Sequence, residues 1–153
     1  MFTMEFDASK LTFTIEGMDR RLRDMRPVWG EIHSIFIAFM RQQFKSEGTY
    51  AGDRWRPLNP QYAAYKMRRY GRQRILHASG RLEESFTSAN ARDHVYRNGP
   101  SFMEAGSRVE YAKAHQYGYP ARNLPARPMI AKFTRAEGER VADVVLAYIL
   151  RGR

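Results

Sequence analysis

MDRRLRDMRPVWGEIHSIFIAFMRQQFKSE, residues 18–47, is the stretch whose reading decides the fold. Leu22, Met25, Trp29, Ile32, Phe36, Phe39 and then Gln43 or Phe44 recur at steps of three and four, the spacing that keeps side chains on one face of an α-helix. Val28, Ile35, Ile37 and Met40 widen that face beyond a single stripe, so the helix needs cover on two sides. A sheet of the same chain is expected to supply one side. The other is expected to be finished by neighbouring copies, because a lone protomer offers such a seam too little shelter. Pro27 marks either a kink or the true first turn, and Gly48 is the natural stop.

Toward the N-terminus the period shortens to two. Leu11, Phe13 and Ile15 alternate with Thr12, Thr14 and Glu16, the pattern of a half-buried strand, which Gly17 would end. Phe2, Met4 and Phe6 alternate likewise, with Asp7, Ala8 and Ser9 as a turn, so residues 1–10 form either a further strand or an arm.

Beyond the helix, residues 49–60 have the composition of a loop, and Asn59 before Pro60 is an N-cap followed by proline at the first helical position. A short helix over 60–70 follows, then a brief helical turn from Ser79 and Gly80 through Leu82. Strand-like runs near 85–91, 94–98 and 102–105, parted by Asp93 and by Asn98-Gly99-Pro100, read as an antiparallel meander. A second short helix over 110–117 stops at Gly118, and a loop with Pro120, Pro125 and Pro128 leads to a last helix. Thr134 and Glu137 are spaced as a capping box for it, and Val141, Val144, Val145, Tyr148 and Ile149 form its apolar face. The sum is an α+β fold, a small, mostly antiparallel sheet packed by one long N-terminal helix and a C-terminal helix. One domain over 1–153 is expected, with a basic loop and short-helix insert at about 49–78.

Composition narrows the function. The absence of cysteine among the 153 residues removes disulfides, thiolate nucleophiles and cysteine metal sites. No run nears the roughly 20 apolar residues of a membrane span and no leader is evident, so a soluble, unexported chain is expected. A formal net charge of +10 calls for an acidic neighbour: nucleic acid, an acidic protein or a ring mate. Much of the excess lies in 54–82, which has no acid but contains Arg54, Arg56, Lys66, Arg68, Arg69, Arg72, Arg74 and Arg81. Tyr62, Tyr65 and Tyr70 interleave with these cations in a manner suited to stacking and phosphate contact, or else pack a solvated helix onto the domain. Lys66, Arg68, Arg69, Arg72 and Arg74 are therefore the candidate patch facing DNA or an acidic partner.

Catalytic patterns are missing. His33, His77, His94 and His115 have no metal-ligand spacing, and there is no nucleophile elbow or phosphate-cradling glycine loop. His115 with Gln116 lacks the positioned partner a general base needs, and Asp53, Glu83 and Glu84 lack a nuclease spacing. No catalytic residue, cofactor or metal is expected.

Four short signatures succeed one another: Trp55-Arg56-Pro57-Leu58; Ser79-Gly80-Arg81-Leu82-Glu83-Glu84-Ser85; Gly106-Ser107 leading to Tyr111-Ala112-Lys113-Ala114-His115-Gln116-Tyr117-Gly118; and Pro125-Ala126-Arg127-Pro128. Their order and spacing resemble the virion-morphogenesis, or tail-completion, family of tailed phages over residues 32–150. Met129 and Ile130 depart from the Phe-Leu pair usual there, and the stretch between Pro60 and Ser79 is richer in arginine. The resemblance implies a structural protein without catalysis or cofactor, which completes the tail or joins it to the head as a homo-oligomeric ring, a hexamer. It implies neck, connector or tail-tube proteins as partners, non-specific contact with packaged DNA, and neither membrane nor small-molecule substrate. The place would be the head–tail junction of the virion, and the host cytoplasm during assembly. Trp55, Leu58, Arg81, His115, Gln116 and Arg127 become candidates for the subunit or virion interface, with the proline-flanked Arg127 as a forked donor to a neighbour. The alternative is a small basic nucleic-acid-binding protein using 54–81, and a nuclease or hydrolase stands third.

Overall fold

The computed structural model of the protein describes residues 8–151. Their elements are α1 (Ala8–Arg23), α2 (Arg26–Lys45), α3 (Pro60–Tyr70), α4 (Arg81–Thr87), β1 (His94–Asn98), β2 (Met103–Ser107), α5 (Ala112–Tyr117), a 3-10 turn (Pro120–Arg122) and α6 (Arg135–Arg151). The α+β class stands, with the β part reduced to one antiparallel hairpin in the register His94↔Ser107 to Asn98↔Met103.

Three expectations about elements are corrected. Residues 11–15 belong to α1 and not to a strand. Leu11, Ile15, Met18 and Leu22 also recur at steps of four and three, and this longer helical period outweighs five alternating residues. The alternation at Phe2, Met4 and Phe6 lies outside the described residues. The long helix over 18–47 is two helices, because Pro27 sits in the first turn of α2 and cannot extend α1 through the chain before it. At the break, the Asp24 carboxylate accepts from the Arg26 amide at 3.1 Å and from its guanidinium at 2.8 and 2.6 Å. The Met25 amide donates to the Pro100 carbonyl at 2.8 Å, and Trp29 Nε1 donates to the Gly99 carbonyl at 2.7 Å, so the joint is tied to the hairpin turn. Finally, the expected strand near 85–91 is not formed: 85–87 are the end of α4, whose Leu82, Ser85 and Phe86 are buried at helical steps, 88–91 are a turn, and the meander shrinks accordingly.

The seam of α2 is finished inside the protomer, which overturns the expectation that neighbours must cover it. Val28, Ile32, Ile35, Phe36, Ile37, Phe39, Met40 and Phe44 are all buried. Helix α6 packs on α2 from one side and α4 with the hairpin from another. Loop residues complete the cover, with Trp55, Ile75, Val109 and Met129 joining Phe36, Phe39, Met40 and Phe44 in one core. Each such side chain contributes roughly 1.5–3 kcal/mol by leaving water. The hairpin is too small to do this work alone, and α4, α6 and chain without regular structure share it.

Helix ends follow the sequence closely. Asn59 Oδ1 accepts from the Gln61 amide at 2.9 Å ahead of Pro60, and Gly71 closes α3 in the left-handed region. The Thr134 hydroxyl bonds the Glu137 carboxylate at the start of α6, and Tyr50 Oη donates to the same carboxylate at 2.5 Å. Burial would raise the Glu137 pKa, but hydrogen bonds from these two hydroxyls and from the backbone of Glu137 and Thr134 together hold the group below its usual value.

Candidate functional site

Loops rich in proline are held to one another by polar groups drawn from the signatures. Trp55 is 2 % exposed, stands edge-on to Phe44 at 5.4 Å between ring centres, and donates from Nε1 to the Pro128 carbonyl at 2.7 Å. Its indole fits over Gly48 (φ 94°), where an added Cβ would lie 2.6 Å from Trp55 Cδ1. Arg127 forks onto its own chain, Nε to the Arg56 carbonyl at 2.8 Å and Nη2 to the Pro57 carbonyl at 3.1 Å, while its amide donates to the His115 carbonyl at 2.7 Å. Gln116 acts like a strip of backbone: Oε1 accepts from the Met129 and Ile130 amides at 2.8 and 3.0 Å, and Nε2 donates to the Ile130 carbonyl at 2.9 Å. Trp55, Gln116 and Arg127 thus join segments of one subunit. Arg127, expected to reach a neighbour, is 5 % exposed and gives Nε and Nη2 to two internal carbonyls, which leaves Nη1 without an acceptor among the described residues. Arg81 is exposed and pairs with Asp93 at 2.6 and 3.1 Å and with Glu110 at 3.6 Å.

Around these contacts lies a cavity of about 800 Å³, and all four signatures line it: Pro57 and Leu58 from the first, Ser79, Gly80 and Leu82 from the second, Tyr111 and His115 from the third, Pro125 and Arg127 from the fourth. Segments far apart in sequence meet because α4 and α5 both lean on the core and the loop through Arg127 is bonded to His115 and Gln116. Lys66 also lines it, and this differs from its expected place on an exposed patch: the side chain is buried and Nζ donates to the Arg74 carbonyl. Burial pushes the Lys66 pKa down, with Arg127, Arg72 and Arg74 adding to the fall against an opposing pull from Glu47. His115 is held below its ordinary value by burial, then by Arg127 and Lys66. Its Nδ1 is buried with no hydrogen-bond partner among the described residues.

The basic stretch divides in two. Arg68 and Arg69 are exposed and enter no ion pair among the described residues, with Arg69 lying 5.7 Å from the Tyr70 ring centre. Arg72 Nη1 is 2.6 Å from His77 Nε2, and Arg74 pairs with Glu83 at 3.4 Å. Tyr62 and Tyr65, each 47 % exposed, stack with ring centres 6.0 Å apart and do not enter the core. Among the described residues no three His, Asp or Glu could together hold a metal ion, and no helix is long and apolar enough to cross a membrane.

The model of the phage virion morphogenesis family matches residues 6–150. The chain belongs to that family. No curated protein and no solved structure matches it. Family membership gives the chain a structural role in a phage virion. Sequence reasoning missed the inward turn of Lys66 and the cavity walls Leu76 and Leu124. The ordered signatures were the one available signal, since short motifs that recur in register serve a common place.

Proposed function

We propose that this family member is a tail-completion or neck subunit, which works without catalysis at the head–tail junction as a closed ring of identical copies, a hexamer. The carrying observation is what the four signatures do in the fold. Their indole and amide groups, with Nε and Nη2 of the guanidinium, bond one loop to another, and among the described residues no nucleophile, base and orienting group stand together. Side chains left outside suit contact between copies: Tyr62, Tyr65, Met67, Tyr117, Tyr119 and Ile130 are exposed, and tyrosine and methionine are favoured at protein interfaces. A ring demands a head-to-tail interface, one patch meeting a different patch. Neck, connector or tail-tube proteins would then stack on the ring. Assembly would begin in the host cytoplasm and end in the virion.

Light scattering on the purified chain tests this, alone and mixed with tails lacking it. A defined oligomer, formed alone or on those tails, is the expected result. The second reading is non-specific DNA binding, favoured by the exposed Arg68, Arg69, Tyr62 and Tyr65 on α3. A monomer under both conditions, with tight, salt-sensitive duplex binding, would put that reading first.

A further inference from the structure

The cavity holds cations without acids. Lys66 and Arg127 are 2 % and 5 % exposed, and no Asp or Glu is among the lining residues. Buried charges ordinarily require a counter-charge, because neither apolar walls nor a single carbonyl replaces lost hydration. Lys66 Nζ has one carbonyl acceptor, Arg74, for three protons, and Arg127 Nη1 has no acceptor among the described residues. Glu47, the carboxylate that acts on Lys66, is already occupied by the Ile75 amide at 2.9 Å and by Arg54 at 3.3 Å. His115 Nδ1 adds a third unmet polar atom. The site is therefore short of an anion, and it is built in advance.

We propose that this cavity is a docking pocket for a carboxylate side chain flanked by apolar residues, carried on a peptide segment of a partner protein. The carboxylate would accept from Lys66 Nζ and Arg127 Nη1. Leu58, Leu76, Leu82, Leu124, Tyr62 and Tyr111 would take the apolar flanks, as most specific pockets combine broad apolar walls with a few polar anchors. Duplex DNA fits poorly: it is a stiff rod with a persistence length of about 50 nm, its phosphates lie outermost, and it favours exposed cations over sunken ones. The net charge of +10 agrees with an acidic partner. The inference rests on the assembly reading only for the origin of the segment, and its test requires no assembly.

The full chain, labelled for amide and histidine NMR, is titrated with capped Leu-Glu-Phe peptide, its Gln counterpart, inorganic phosphate and a short DNA duplex. The Glu peptide is expected to shift Leu82, Leu124 and His115 and to bind about tenfold more tightly than the Gln peptide, the scale of a charged hydrogen bond. Lys66→Met should bring that ratio near one. If this variant does not fold, the comparison of the two peptides on the unaltered chain decides alone. Equal binding of both peptides, or no shift with the Glu peptide, overturns the proposal. So does stronger occupation of these residues by phosphate or by the duplex. Failure of the chain to form rings would leave the outcome unaffected, so the two readings fail separately.

Discussion

The Nε2 atoms of His33 and His94 stand 2.8 Å apart, a contact that binds the middle of α2 to the first residue of β1. His94 Nδ1 faces the Ser85 carbonyl at 2.7 Å, so that nitrogen carries the proton of the neutral ring and His94 Nε2 must accept from His33. Tyr96 stacks on His33 at 4.0 Å between ring centres. Burial, with His94 beside it, holds the His33 pKa below its ordinary 6.5.

Acid should therefore weaken the fold. The unfolded chain takes up a proton at His33 more readily than the native one, so the contribution is complete above 6.5 and lost as pH falls below it toward the lowered native value. His115 works in the same direction. Urea midpoints taken between about pH 7.5 and about pH 5.5 should drop, and His33→Gln should flatten the profile. An unchanged slope in that variant would refute the assignment.

Gly118 ends α5 with φ 80° and ψ 167°, a conformation all but confined to glycine. An added Cβ would also stand 2.9 Å from the Ala126 amide nitrogen and 3.1 Å from the Leu124 carbonyl oxygen. Gly118→Ala should cost roughly 1–3 kcal/mol in equilibrium unfolding. A loss under about 0.5 kcal/mol, the range of neutral surface changes, would show that the loop yields easily.

Trp55 and Arg127 fasten the same two stretches, residues 55–57 and 127–128, from opposite directions. Arg127→Lys gives up the planar fork and strands a carbonyl, and Trp55→Phe does the same to Pro128, each at roughly 1–3 kcal/mol. The double variant should be non-additive by about 0.5–3 kcal/mol, since the second change acts on loops already loosened. Strict additivity in a double-mutant cycle would mean two independent fastenings.

Replacing Arg68, Arg69 and Arg72 by glutamine should leave the unfolding free energy within about 0.5 kcal/mol of the starting chain, as these side chains are exposed. Joining of heads to tails should fall. The check is the yield of infectious particles on complementing a phage that lacks the gene, and a normal yield would make the stretch mere solvated surface.

How far the sequence could be read depends on whether local or distant contacts decide each element. Caps are local, and Asn59-Pro60, Gly71 and Thr134 with Glu137 all stand where their chemistry predicts a helix end. Strand β1 over His94–Asn98 is likewise legible, bounded by Asp93 and Gly99. Leu11 to Ile15 misled because two periods fit the same five residues, and the tie was settled only by Met18 and Leu22 beyond them. Part of the shelter of α2 was illegible because it comes from Trp55, Ile75 and Met129, loop residues with no period of their own. Lys66 could not be assigned an inward course by its charge. Its inward course depends on a contact eight residues on, where Nζ donates to the Arg74 carbonyl beside the cavity.

Two paired strands are marginal by themselves in water. This hairpin has its turn fastened to the helix joint by Met25 and Trp29, and its opening residue fastened by His33. Moored at both ends to one helix, it should lack any private route to opening, and its amide protons should exchange with solvent only when those in the middle of α2 do so.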